Sequence, residues 1–163
     1  PGIQGGPLEH IIAGKAIALK EALSDDFKAY AKQVKLNAKA LAKSLMDEGL
    51  DIVGNGTENH LMTLDLRKLN KTGKDIANIL ELVGITANKN TVPNDPQSPF
   101  VTSGVRLGSP AMTTRGFKEE DMIEVGKIIA EAVKISDTKD EAKIKELRER
   151  SLKLCEKYPL YKD

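Results

Sequence analysis

Ser103-Gly-Val-Arg-Leu-Gly-Ser-Pro110 reads as a short β-strand, because its residues alternate with the period of two that a strand imposes. Val105 and Leu107 fall on one face, and Gly104, Arg106 and Gly108 on the other. The apolar pair asks for a core beneath the strand. The opposite face carries one planar, permanently charged fork between two residues without side chains, which predicts empty room around it. Such a fork grips a carboxylate or phosphate through two parallel hydrogen bonds. The same residues also suit a plain surface arginine on an edge strand, and the segment alone does not separate the two readings.

Working outward, His60 to Leu66 alternates in the same way, with Met62, Leu64 and Leu66 on one side and Thr63 and Asp65 on the other. It predicts a second half-buried strand. Ile52-Val53 suggests a third, short one before the Gly54-Asn-Gly56 turn. Between the strands, Thr72 to Val83 predicts a helix with Thr72 as N-cap, Asp75 as box partner and Gly84 as stop. Residues 88–103 hold three prolines and three asparagines, which predicts a rigid polar loop without regular structure, a suitable place for ligand contacts.

The flanks are helical. Pro7 suits a first helical position, and Leu8 to Leu23 carries Leu8, Ile11, Ile12, Ala16, Leu19 and Leu23 at helical spacing. Ser24-Asp25-Asp26 caps a second helix that runs to about Glu48, with Tyr30, Val34, Leu41 and Leu45 in one stripe and Gly49 as stop. Lys118 to Ile135 is helical, with Glu119, Glu120 and Asp121 in the first turn, where the helix dipole favours them. A last helix, capped by Ser136 or Asp137, runs to about Lys157. Its Glu141/Lys145 and Glu146/Arg150 pairs read as a solvated face. The order predicts an α+β domain, with a small, mostly antiparallel sheet carrying helices on one face.

Composition narrows the function classes. The 163 residues suffice for one domain with a core, 40% are hydrophobic and 30% charged, and the net charge is +1. No dense basic face interleaved with aromatics points to nucleic acid, and no apolar run is long enough for a membrane span. Cys155 is the only cysteine, which suits a reducing, cytoplasmic setting. With two histidines and no CxxC or HxxxH spacing, a metal site is not expected. Gln4-Gly-Gly-Pro7 before a helix offers backbone N–H groups to an anion, although a flexible loop reads the same way. His10 lies one turn further on. No complete catalytic set stands out.

Two stretches together resemble one family. Pro1-Gly-Ile-Gln-Gly-Gly-Pro-Leu-Glu-His10 and Asn90-Thr-Val-Pro-Asn-Asp-Pro-Gln-Ser-Pro-Phe-Val-Thr-Ser-Gly-Val-Arg-Leu-Gly-Ser-Pro-Ala-Met-Thr-Thr-Arg-Gly-Phe117 are similar to signatures of serine hydroxymethyltransferase. Tyr158-Pro-Leu-Tyr161 extends the likeness over essentially the whole chain. The resemblance implies a fold-type I enzyme that uses pyridoxal phosphate and interconverts serine and glycine, with tetrahydrofolate as one-carbon acceptor. By motif, Arg106 binds the substrate carboxylate and Arg115 supports it. Asn90 contacts the folate, and Gly5 and Gly6 reach the cofactor phosphate of a neighbouring subunit. The family's cofactor-bonding lysine sits upstream, in a Thr-rich stretch ending His-Lys that this chain does not contain. The chain thus corresponds to the C-terminal portion: 1–24 as the tail of the large cofactor domain, 25–163 as linking helix and small domain. No catalytic residue falls within it, and alone it is expected to be inactive. The whole protein is expected to be a homodimer or tetramer. A folate- or anion-binding module, or a structural half completing a site in trans with a separate N-terminal chain, remain alternatives.

Overall fold

The computed structural model describes residues 2–3 and 5–160. Pro1, Gln4 and Tyr161, which the sequence reading used, lie outside the described residues. Two helices lead, α1 (Glu9–Ala22) and α2 (Asp25–Asp47). Then come β1 (Asp51–Ile52), β2 (Leu61–Asp65), α3 (Gly73–Leu82), β3 (Asn88–Asn90), β4 (Gly104–Gly108), α4 (Pro110–Arg115), α5 (Glu119–Ile135) and α6 (Glu141–Glu156). The four strands form one antiparallel sheet in the order β1-β2-β4-β3. This is the expected α+β architecture.

Alternation decides which sheet face is covered. Met62 and Leu64 of β2 and Val105 and Leu107 of β4 are buried. They join one core with Leu41 and Leu45 of α2, Ile76 and Leu80 of α3, and Ile128 and Ile129 of α5. Burying each such side chain is worth roughly 1.5–3 kcal/mol. α2 and α5 pack closely because Gly126 lies against Ser44, whose hydroxyl donates to the Ile123 carbonyl at 2.8 Å.

The helix ends follow the capping chemistry in most cases. Ser24 accepts from the Phe27 N–H and Thr72 from the Asp75 N–H. The Asp75 carboxylate takes the Thr72 hydroxyl, at 2.6 Å. At the end of α2, Gly49 adopts φ +86°, and the N–H groups of Gly49 and Leu50 bond to the carbonyls of Met46 and Leu45. A left-handed residue there closes the last turn.

Several expectations are corrected. Asn88–Asn90, expected to be irregular, form an edge strand on β4. α1 begins at Glu9, after Leu8 as N-cap, so Pro7 lies outside the helix. Val53 belongs to a 3-10 turn and not to β1. Asp140 caps α6 by accepting from Ala142 and Lys143, because left-handed Lys139 breaks the chain after Ser136 and Asp137. The charged side of α6 is no solvated face throughout: Arg150 bridges to Glu124 and Glu131 of α5, both at 2.7 Å. α1 has no buried residue, and Ile12, Ile17, Leu19 and Leu23 all stand more than half exposed. No helix among the described residues is long and apolar enough to cross a membrane.

Candidate functional site

The uncovered sheet face carries Thr63 and Asp65 from β2, Arg106 from β4, and Asn88 and Asn90 from β3. Register places Thr63 and Asn88 directly across from Arg106, one on each side. Asn90 stands across from Gly104, on the same face. The exposed guanidinium is thus framed by a hydroxyl and two amides.

All four other arginines have donors committed. Arg67 bonds to Asp65, Arg115 to two carbonyls, Arg148 to the Leu82 carbonyl and Arg150 to Glu124 and Glu131. The Arg106 guanidinium has no hydrogen bond or ion pair among the described residues. Sequence reasoning missed why. Asp65 is the carboxylate on the same face, and Arg67 takes it through a fork, Nε to Oδ1 at 3.0 Å and Nη2 to Oδ2 at 2.6 Å. That bond from Arg67 is the main cause holding Asp65 below its ordinary value. An ionised, already paired Asp65 leaves Arg106 without a partner and available to an incoming anion. The Asp65-x-Arg67 spacing was the available signal.

The flanking glycines have another role than the one expected. A Cβ on Gly104 would lie 2.7 Å from the Leu64 carbonyl oxygen, 2.8 Å from Val92 Cγ1 and 2.9 Å from the Asn90 carbonyl oxygen. Room on that side is therefore filled: Val92 folds over the strand, and only glycine permits it. A Cβ on Gly108 would meet the His60 carbonyl oxygen at 3.1 Å. The glycines pack the frame tightly around Arg106.

The loop that supplies Asn90 is fixed from both ends. Arg67 Nη1 donates to the Pro93 carbonyl at 3.3 Å. Asp95 accepts from the N–H groups of Val92, Gln97 and Ser103 and from the Ser103 hydroxyl. Asn90 Nδ2 donates to the Thr91 carbonyl at 2.7 Å. The asparagine so held sits beside the charge that a ligand's anionic end would seek.

Arg115 lines one cavity of about 750 Å³ together with Arg106. Its Nε donates to the Tyr158 carbonyl at 2.8 Å and its Nη2 to the Cys155 carbonyl at 3.0 Å, so part of its fork closes the C-terminal end of α6. Tyr158 is held in turn by Asp121, which accepts its hydroxyl at 2.8 Å, and by the Phe117 ring 5.1 Å away. Gly5 and Gly6 are not gathered with these residues. They precede α1, are exposed, and have nothing within 4 Å of a would-be Cβ. His10 is exposed in the first turn of α1.

Comparison with known proteins bears on this arrangement. The family model of serine hydroxymethyltransferase matches residues 1–129. A curated serine hydroxymethyltransferase of Microcystis aeruginosa is 56% identical over 161 residues, which cover 99% of this chain and 37% of that protein.

Proposed function

The chain belongs to the serine hydroxymethyltransferase family, and on that premise we propose that it forms the C-terminal part of an enzyme interconverting serine and glycine, with tetrahydrofolate as one-carbon acceptor. The observation that carries this reading is Arg106, unpaired among the described residues and framed by Thr63 and Asn88 while Arg67 occupies Asp65. Arg106 binds the amino acid's carboxylate through a two-pronged contact and so fixes the rotation of the α-carbon bonds. Arg115, the last residue of α4, lends positive charge to the same cavity while its fork bonds to carbonyls at the end of α6. Asn90, held by its ordered loop, offers amide and carbonyl groups to the folate.

Among the described residues, the segment before α1 would hold the phosphate of pyridoxal phosphate. Gly5 and Gly6 put no side chain in the way of their peptide N–H groups, and α1 begins at Glu9, after an N-cap Leu8 that offers no side-chain cap to the first-turn donors. Such a helix start accepts a phosphate, here from a neighbouring subunit in a homodimer or tetramer. When bound, the cofactor supplies an electron sink for the bond broken at the α-carbon. The residue that bonds it covalently belongs to the part outside this chain, so the 163-residue chain alone is inactive. The exposed apolar side chains of α1 favour a half that is covered by the rest of the enzyme. The single cysteine is compatible with the cytoplasm, where we place the enzyme.

The test is Arg106→Lys in the whole enzyme. A compact ammonium replaces the fork, so kcat/KM for serine should fall by about tenfold or more, chiefly through KM. An unchanged KM would overturn the assignment.

A further inference from the structure

The cavity that Arg106 shares with Arg115 is far larger and more apolar than a serine needs. Among the described residues, its charged and titratable lining is Arg106, Arg115, His60 and Cys155, with no Asp or Glu. Ile85, Met112, Phe117 and Leu154 make apolar walls. Ser151 also lines it, nine-tenths buried, with a hydroxyl that finds no hydrogen-bond partner among the described residues. About 750 Å³ lies in the range of sites for organic molecules of drug size.

We propose that this cavity binds an aromatic carboxylate, with its charged end on Arg106 and its ring among Ile85, Met112 and Phe117. Three observations select that class. The charge that the described residues bring to the lining is positive, from Arg106 and Arg115, so the ligand is an anion. The walls are apolar and include a thioether and a ring, which favour a flat aromatic body. The volume exceeds what a small acid fills. The inference rests on the reading of Arg106 as an anion clamp. Its consequence is that such a ligand competes with the amino-acid substrate for one guanidinium.

The experiment uses 2-naphthoate as probe and the whole enzyme, with binding followed by calorimetry. One-to-one saturable binding is expected, with acetate and neutral 2-naphthylmethanol each binding about tenfold more weakly or worse. Arg106→Gln should weaken naphthoate binding by about tenfold or more. Ala111→Trp, an exposed position on the cavity wall, should abolish it by filling the space. Lack of saturable binding, or binding unchanged in either variant, overturns the proposal; binding unchanged in both would place the probe elsewhere on the enzyme. The outcome is separable from the substrate reading. Naphthoate can fail to bind while Arg106→Lys still raises the serine KM of the whole enzyme, and the reverse result would sink the substrate reading alone.

Discussion

Asp95 receives both the backbone N–H and the hydroxyl of Ser103, at 2.8 and 2.7 Å, tying the middle of the proline-rich loop to the residue ahead of β4. Burial works against that charge. Hydrogen bonds from the Ser103 hydroxyl and from the N–H groups of Gln97, Ser103 and Val92 outweigh it and hold Asp95 well below the usual carboxylate range. A carboxyl depressed by folding stabilises fully above its ordinary value of 3.8 and progressively less as the pH falls below that. Urea midpoints of the native chain should therefore drop more steeply than those of Asp95→Asn as the solution is acidified below about pH 4. Parallel curves would contradict the account.

Gly73 opens α3 where the backbone leaves no space. A Cβ there would overlap the Gly104 carbonyl oxygen and the Thr102 hydroxyl, while the Gly73 N–H donates to the Thr102 carbonyl at 2.9 Å. Gly73→Ala should cost about 2 kcal/mol, read from chemical denaturation. A loss below about 0.5 kcal/mol would show that α3 can shift away from β4.

Asn37 is fully buried and joins α2 to α4 and to the turn between α4 and α5. Its Nδ2 donates to Thr113 Oγ1 at 2.9 Å and to the Phe117 carbonyl at 2.8 Å, and its Oδ1 accepts from Gln33. Asn37→Leu removes the donor and leaves the Phe117 carbonyl without this partner, at a cost of about 2 kcal/mol. A neutral effect in thermal or urea unfolding would mean the carbonyl finds a replacement.

The two arginines of the cavity should separate cleanly. Arg115→Gln breaks the bonds to the Tyr158 and Cys155 carbonyls and should destabilise by about 1–3 kcal/mol. Arg106→Gln breaks no bond among the described residues and should leave stability within about 0.5 kcal/mol. Equal losses in both would remove the distinction between a structural and a free guanidinium.

Much of this was legible in the sequence where local chemistry decides. Alternation in 60–66 and 103–108 gave both central strands and their buried faces, and Ser24, Gly49, Thr72 and Gly84 marked helix ends. β3 was not legible, because Asn88-Lys-Asn90 has no apolar alternation and exists as a strand only through pairing with β4. The α6 cap was misplaced because Ser136, Asp137 and Asp140 offer similar side chains, and only the left-handed Lys139 selects among them. Arg106 stood out by its glycine neighbours, although those glycines serve close packing, Gly104 with Leu64, Val92 and Asn90 and Gly108 with His60. The role of Arg115 at the end of α6 depends on partners some forty residues away, and nothing local announces it.

The most direct test of the central claim compares serine with serine amide as substrates of the whole enzyme. The amide keeps the shape and removes the anionic end that Arg106 is proposed to hold. The native enzyme should favour serine in kcat/KM by about tenfold or more, and Arg106→Gln should erase that preference while folding normally. A variant that still discriminates as the native enzyme does would show that the carboxylate is bound elsewhere.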